Sequence, residues 1–257
     1  LISLKDRNKK EEKFPLELLY CRNCCLSQLS IVLNPEFLFS RYPYRSSISK
    51  IFRMHCAEMA SKVGKLIKTK GNELVVDIAS NDGCLLQEFR KKGFRTIGVE
   101  PAGNLAKIAE GNGIETINRF WSEETANHIV ANYGKAKIIT ATNILAHVNN
   151  LNGFIMAVKI LLSDGGLFIV EVPHMHDLIK KNEFDTIYHE HLSYFLMKPL
   201  QKLWSLDLSR TRVTGGGLEH LNQVTHLTLD DTHISDAGLE HLKLLNQLEY
   251  LSLCNTQ

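Results

Sequence analysis

Residues 74–101, LVVDIASNDGCLLQEFRKKGFRTIGVEP, decide the fold. The run Leu74–Ile78 is short, apolar and rich in β-branched residues, which suits a strand buried on both faces. Small and turn-forming residues follow at Ala79, Ser80, Asn81, Asp82 and Gly83, and Gly83 is free to take a positive φ. Leu85–Lys92 carries apolar residues at helical spacing (Leu85, Leu86, Phe89), and Thr96–Val99 reads as a second buried strand that ends at Glu100. Strand, helix and strand in this order open a doubly wound α/β sheet, whose ligands bind beyond the carboxyl ends of the strands.

The loop chemistry narrows the ligand. A dinucleotide site needs a G-x-G-x-x-G loop, because a pyrophosphate must approach the backbone amides at the helix start. Here the loop has a single glycine, and Asp77, Asp82 and Glu100 surround it. Carboxylates repel a pyrophosphate and suit a cationic ligand that carries a ribose. Glu100, at the tip of the second strand, is placed to accept hydrogen bonds from both ribose hydroxyls. S-adenosylmethionine, a sulfonium with a ribose, meets both conditions; the bland alternative is a nucleotide-free α/β domain with polar strand ends.

Composition sets the outer bounds. At 257 residues the chain has room for one or two domains, and its formal net charge of +2 gives no case for nucleic acid. No apolar run approaches the ~20 residues of a membrane span, and no signal-peptide pattern is visible. Three of the six cysteines crowd into Cys21–Cys25, while Cys56, Cys84 and Cys254 are scattered. That usage suits a reduced, cytoplasmic protein rather than a disulfide framework. Cys21 and Cys24 form a C-x-x-C knuckle that can present two thiolates to zinc, but a structural site normally takes four ligands. Cys25, His55 and Cys56 are the nearby candidates to complete one; the competing reading is reduced structural cysteines.

Around the opening unit, Ile51–Lys68 reads as an amphipathic helix with Ile51, Met54, Met59, Val63 and Ile67 near one face. Ser122–Ala131 is a further helix, Ala136–Ala141 a buried strand, Asn143–Leu162 a strand-end loop and helix, and Gly166–Val172 another strand. Strands alternating with helices imply a mostly parallel sheet.

Between about Phe14 and Phe195 the chain resembles the sugar C-methyltransferases of deoxysugar biosynthesis. Several ordered motifs carry this: the C-x-x-C knuckle, Arg41–Ser47 (RYPYRSS) against Y-x-Y-S-S, Ser80–Gly83 (SNDG), Asn143–His147 (N-x-x-A-H), Glu171–Pro173 (EVP), and Phe184–Phe195 (FDTIYHEHLSYF). The resemblance implies a Rossmann-like class I methyltransferase sheet, S-adenosylmethionine as cofactor, zinc at the knuckle, and a nucleotide-linked keto-sugar as substrate. It implies cofactor contacts from Asp77, Ala79, Ser80, Asn81, Asp82, Gly83, Glu100, Pro101 and Asn143. Asp77 and Ala79 stand where the family more often has Glu and Gly, which shortens a carboxylate's reach and restricts the turn.

Methylation of carbon beside a ketone needs a base to remove an α-proton, a group to stabilise the enolate oxygen, and tight positioning. Tyr188-His189-Glu190-His191 packs a phenol, two imidazoles and a carboxylate into four residues. By the resemblance, His191 is the base, with Tyr188, His189, Glu190, His147 and Tyr42 as the supporting site. An imidazole is a neutral base near cytosolic pH.

After Phe195 the pattern changes. Leu203-x-x-Leu206-x-Leu208-x-x-Thr211 recurs as Val224-x-x-Leu227-x-Leu229-x-x-Thr232 and Leu248-x-x-Leu251-x-Leu253-x-x-Thr256, with GGGLEHL (215–221) and DAGLEHL (236–242) between. That spacing fits leucine-rich repeats, with one strand per repeat and a helix packed behind. His220, His226, His233 and His241 lack metal-ligand spacing and read as solvated or rim residues. The strand face bearing Ser205, Asp207, Thr228 and Ser252 could hold a protein partner. The expected organisation is therefore 1–68, a truncated zinc-knuckle and substrate module; 69–197, a cofactor-binding methyltransferase domain lacking its C-terminal strands; and 198–257, a short repeat solenoid. The repeats, or residues 204–208 in particular, are expected to cover the sheet edge at Gly166–Val172, which would otherwise be a pairing liability. Both ends read as cut. The competing readings are a repeat protein with an inactive head, and a junction near Leu196–Lys198 that joins segments with no shared function.

Overall fold

A computed structural model describes residues 12–67, 71–196, 205–207, 218–221 and 223–256. Its centre is a parallel sheet of five strands: β3 (Leu74–Ile78), β4 (Arg95–Val99), β5 (Glu115–Ile117), β6 (Ala136–Thr142) and β7 (Leu162–Glu171), in the order β5-β4-β3-β6-β7. The order reverses between β3 and β6, so the crevice of a doubly wound sheet opens above the end of β3. All of β3 is buried, and its residues alternate between two cores. Leu74, Val76 and Ile78 join Ile139, Ala141, Phe168 and Val170 on one face. Val75 joins Ile138, Leu167 and Ile169 on the other. Strict alternation within a fully buried strand is what the pleat requires when helices cover both faces.

The second face is covered by α2 (Lys50–Leu66), α3 (Cys84–Lys91) and α4 (Gly103–Gly111) through Cys56, Met59, Ala60, Val63, Leu86, Phe89 and Ala109. The first face is covered by α5 (Glu123–Tyr133) and α6 (Leu151–Leu161). Ser49, Ser122 and Asn150 cap α2, α5 and α6 by accepting backbone N–H groups, which sets where these helices begin. One expectation for α2 needs correcting. Ile51 and Met54 are exposed, at 81% and 63%, whereas Cys56, Met59, Ala60 and Val63 form the buried stripe. At 100° per residue Ile51 and Met54 point away from that stripe, whereas Phe52, in the first turn, lies on it and packs against the core.

Before the sheet, β1 (Leu18–Tyr20) and β2 (Ser27–Leu29) form an antiparallel hairpin, followed by the short helix α1 (Pro35–Phe39). After β7, α7 (Met175–Lys180) leads to β8 (Ser193–Tyr194), which pairs antiparallel with β2. The N-terminal hairpin is thus stitched to the segment carrying Tyr188–His191. Leu29, Met175, Leu178, Leu192 and Tyr194 make a small core under that seam.

The C-terminal segment forms a separate parallel sheet of β9 (Ser205–Asp207), β10 (His226–Thr228) and β11 (Tyr250–Ser252), with Leu206, Leu227 and Leu251 aligned in one register. The short helix α8 (Asp236–Glu240) lies between β10 and β11. β9 runs alongside β7, so the backbone of residues 205–207 lies where a covering segment is expected. Residues 204 and 208, the flanks of that expectation, fall outside the described residues, as do 197–203 and 209–217. Leu218, Leu221, Val224, Leu227, Leu229 and Ile234 are fully buried and belong to the same core as Phe154, Leu161 and Phe168. His226 stacks on Tyr250, and His241 Nδ1 lies 3.0 Å from a Glu219 carboxylate oxygen. Among the described residues no helix is long and apolar enough to cross a membrane.

Candidate active site

One cavity of about 1070 Å³ lies over the carboxyl ends of β3, β4 and β6. Its floor is the loop after β3. Ala79, Asn81 and Gly83 all take positive φ (57°, 53° and 78°). Gly83 does so freely, whereas Ala79 carries the cost of a left-handed residue with a Cβ, about 1–2 kcal/mol. The Ser80 N–H donates to Val99 O at 3.2 Å and the Gly83 N–H to Ser80 O at 3.0 Å, which closes the turn. Gly98 lies directly beneath: a Cβ there would collide with Ser80 Oγ and sit 3.0 Å from Ser80 Cβ and 3.2 Å from Thr116 Oγ1.

Glu100 is fixed at the strand tip by two backbone donors. Asn81 N–H reaches Oε2 and Ala102 N–H reaches Oε1, each at 2.8 Å. Burial pushes its carboxyl above the usual range, opposed by those two amides. Asp77 Oδ1 accepts the Thr140 hydroxyl at 2.6 Å, and burial raises its carboxyl from 3.8 to about 7. Two carboxyls held in a dry crevice give a cationic ligand a favourable destination.

The loop is gripped from the N-terminal segment. Asn81 Oδ1 accepts Ser46 N–H at 3.0 Å, Asn81 Nδ2 donates to Tyr44 O at 3.1 Å, and Asp82 Oδ2 accepts Ser47 N–H at 3.1 Å. The RYPYRSS and SNDG stretches are therefore two halves of one structure. Asn104 brackets the Tyr42 backbone, its Oδ1 accepting Tyr42 N–H at 3.1 Å and its Nδ2 donating to Tyr42 O at 2.7 Å. The Tyr42 hydroxyl in turn donates to Glu190 Oε2 at 2.9 Å. Burial and then Glu190 keep that phenol protonated well above its ordinary range.

On the opposite wall, Leu192 N–H donates to Ala146 O at 2.8 Å and brings His147 to His191, with ring centroids 4.9 Å apart and edge-on. His191 Nδ1 is 3.0 Å from Thr186 O and its Nε2 is 3.1 Å from the Tyr188 hydroxyl. A carbonyl only accepts, so Nδ1 carries the proton and the bare Nε2 accepts from Tyr188. Burial pushes His191 below its ordinary value, and pushes His147 down to about 4 with His191 adding to the effect. Both rings are neutral at neutral pH. Burial also raises the Tyr188 phenol.

Of the residues singled out from sequence, Tyr42, Asp77, Ala79, Ser80, Asn81, Glu100, Pro101, Asn143, His147, Tyr188 and His191 line this one cavity. Asp82 and Gly83 lie behind the loop and shape it. Glu190 is one step back, on Tyr42. His189 points elsewhere, its Nε2 3.0 Å from Pro15 O. Phe120 and Trp121 also line the cavity. They follow β5 directly, so the strand-end rule applied to that position could have found them. Asn104 left no sequence signal; its role appears only when Tyr42 is seen beside it.

Cys21 and Cys24 are exposed at the turn between β1 and β2. Cys56 is buried in the core under α2, and His55 Nε2 is 2.8 Å from Glu171 Oε2, so neither completes a site with the knuckle. Among the described residues no group of three or more metal-ligating side chains gathers at Cys21 and Cys24.

The cavity fits an S-adenosylmethionine-sized ligand by its own chemistry: a twice-fixed carboxylate at the second strand tip, a tight loop with its small residues facing the crevice, and aromatic walls. The family described as "Methyltransferase domain" matches residues 52–205. The C-methyltransferase NovU of Streptomyces niveus is 36% identical over 214 residues, covering 81% of this chain and 51% of that protein. The chain thus spans about half the length of this relative. Among solved structures, a SAM-dependent methyltransferase from Archaeoglobus fulgidus aligns with a TM-score of 0.48 at 16% identity, over 58% of this chain and 65% of that one. The plantazolicin methyltransferase BpumL in complex with SAH aligns at 0.42 and 15%, over 54% and 53%. With more than half of its residues matched, this chain belongs to the methyltransferase-domain family.

Proposed function

We propose that the chain is an S-adenosylmethionine-dependent C-methyltransferase acting on a nucleotide-linked keto-sugar. The observation that supports it best is the meeting, in one cavity, of a ribose-type carboxylate on one wall with Tyr188, His191 and His147 on the other. Its similarity to NovU, a C-methyltransferase, points the same way.

The cofactor is S-adenosylmethionine, which supplies the methyl group as an electrophilic sulfonium. Glu100 would hold its ribose, Asp77 and the loop Ala79–Asn81 its charged end, and Phe120 and Trp121 its adenine.

The base is a pair. His191 Nε2 already accepts the Tyr188 proton, so a substrate α-proton arrives on the Tyr188 oxygen as Tyr188 passes its own to Nε2. Thr186 O, facing Nδ1, steadies the imidazolium that forms, and Glu190 favours the same charge. Neutral His147 adds no positive charge beside the imidazolium that forms on His191. Tyr42 commits its proton to Glu190 and therefore positions that carboxylate rather than donating to substrate.

The domain boundaries at 68/69 and 197/198, and the leucine-rich character of residues 198–257, belong to the same proposal. The shared register of Leu206, Leu227 and Leu251 supports a short repeat array. A protein-binding array with an inactive head is the weaker reading, because the site residues are assembled and the repeat core is continuous with the sheet's.

The test is methyl transfer from labelled S-adenosylmethionine to a panel of nucleotide-linked keto-sugars. The expected result is transfer to carbon, with kcat lowered ~10²–10⁴-fold in His191→Asn and Tyr188→Phe. Transfer to no member of the panel, or full activity in both variants, would sink the reading.

A further inference from the structure

We propose that His174, His176 and Asp177 form a binding site for a divalent transition metal, best suited to zinc, at the turn from β7 into α7. The HMHD sequence places the ligands within one turn of chain, with His174 as the residue before α7 and the other two in its first turn. His174 Nδ1 is 3.5 Å from Asp177 Oδ2, His176 Nδ1 is 3.9 Å from Asp177 Oδ1, and one ligand atom from each residue lies within 4.8 Å of the others. Tetrahedral zinc with bonds of about 2.0–2.1 Å needs ligand atoms roughly 3.4 Å apart, so small side-chain rotations close the set.

A second observation points to a cation. Asp177 is only 8% exposed, and its Oδ1 has no hydrogen-bond partner; the buried His174 Nδ1 has none either. A buried carboxylate oxygen left without a partner is costly. The ion-pair neighbours of Asp177 are the two imidazoles. A dication satisfies all of these groups at once, and imidazole donors favour zinc over magnesium or calcium. The His176 side chain is 55% exposed, which leaves room for water to complete the coordination.

The site's place in the fold gives it a structural role. Met175 N–H donates to Phe195 O at 2.9 Å, and His174 bridges Phe195 in parallel. Pro173, one residue earlier, lines the active-site cavity. A metal here would pin the end of β7, the start of α7 and the strand that follows Tyr188–His191.

The experiment is equilibrium dialysis of the whole chain against Zn²⁺, with Co²⁺ as an optical probe, in Cys21→Ser/Cys24→Ser, His174→Ala and Asp177→Asn. The expected result is one metal per chain, kept in the cysteine double variant, with a Co²⁺ visible band free of thiolate charge transfer. Affinity should fall at least ~10-fold in His174→Ala and in Asp177→Asn, and metal should raise Tm only where it binds. Asp177→Asn is nearly isosteric and decides the matter if His174→Ala does not fold, with circular dichroism of the metal-free chains as the check. No metal bound by the wild type, or binding lost with the cysteines and indifferent to Asp177→Asn, would overturn the proposal.

Discussion

At the scale of single residues, the crevice is governed by groups whose charge the fold suppresses. Asp77 is the sharpest case, its carboxyl raised by burial from 3.8 to about 7 in spite of the Thr140 hydroxyl. A raised carboxyl means that the fold binds the proton better than the unfolded chain does. Its contribution to stability is fully present below the ordinary carboxylate range and is lost as pH rises through about 7. Asp77→Asn removes that loss and keeps a partner for Thr140. The variant should match the wild type near about pH 4 and exceed it by roughly 2–4 kcal/mol near about pH 8, read by urea unfolding at each pH. A constant difference across the range would show that Asp77 is ionised throughout. His147 works in the opposite sense: lowered to about 4, it favours the fold above its ordinary value and weakens it as pH falls from there towards 4. In the sequence Asp77 and Glu100 stood out as carboxylates around the first strand-end loop, and His147 and His191 through the family resemblance of their motifs. The sequence did not reveal that Tyr42 hands its proton to Glu190, or that His189 faces Pro15. Side-chain direction after a turn is set by packing that no local pattern encodes.

At the scale of elements, the loop after β3 is shaped as much by what lies below and beside it as by its own residues. Gly98 is needed because β4 passes under Ser80. Gly98→Ala should force the loop up, costing roughly 1–3 kcal/mol of stability and weakening cofactor binding by ~10-fold or more. Calorimetric titration together with thermal unfolding measures both, and unaltered binding would mean the loop is not part of the site. β3, β4, β6 and α3 were legible almost to the residue, since their apolar runs and the breaker residues around them are unambiguous. α4, β5, α7 and the β1–β2–β8 sheet were not. Their segments are two to nine residues long, and their pairing spans distant parts of the chain, as in Ser27 with Tyr194. Ile51 and Met54 were misjudged because their spacing at 100° per residue puts them off the face that Cys56, Met59, Ala60 and Val63 bury.

At the scale of the whole molecule, the repeat-like segment and the sheet share one core, and Lys62 Nζ on α2 lies 3.5 Å from Asp230 Oδ2 beyond it. Leu229 is fully buried in that core. Leu229→Ala should cost roughly 2–5 kcal/mol and loosen both parts together. Hydrogen exchange should show β6 and β7 losing protection along with β10; loss confined to β10 and β11 would mean the two parts fold separately. The change of pattern after Phe195 was visible in sequence, but the continuity of the core was not, because leucine spacing carries no information about which surface it meets. All of this organisation serves the crevice above β3, so the most direct measurement is a calorimetric titration of the purified chain with S-adenosylmethionine, beside Glu100→Ala. The expected result is one site per chain, weakened ~10–100-fold in the variant by the loss of hydrogen bonds to the ribose. No binding by the folded wild type, or equal binding by Glu100→Ala, would contradict it.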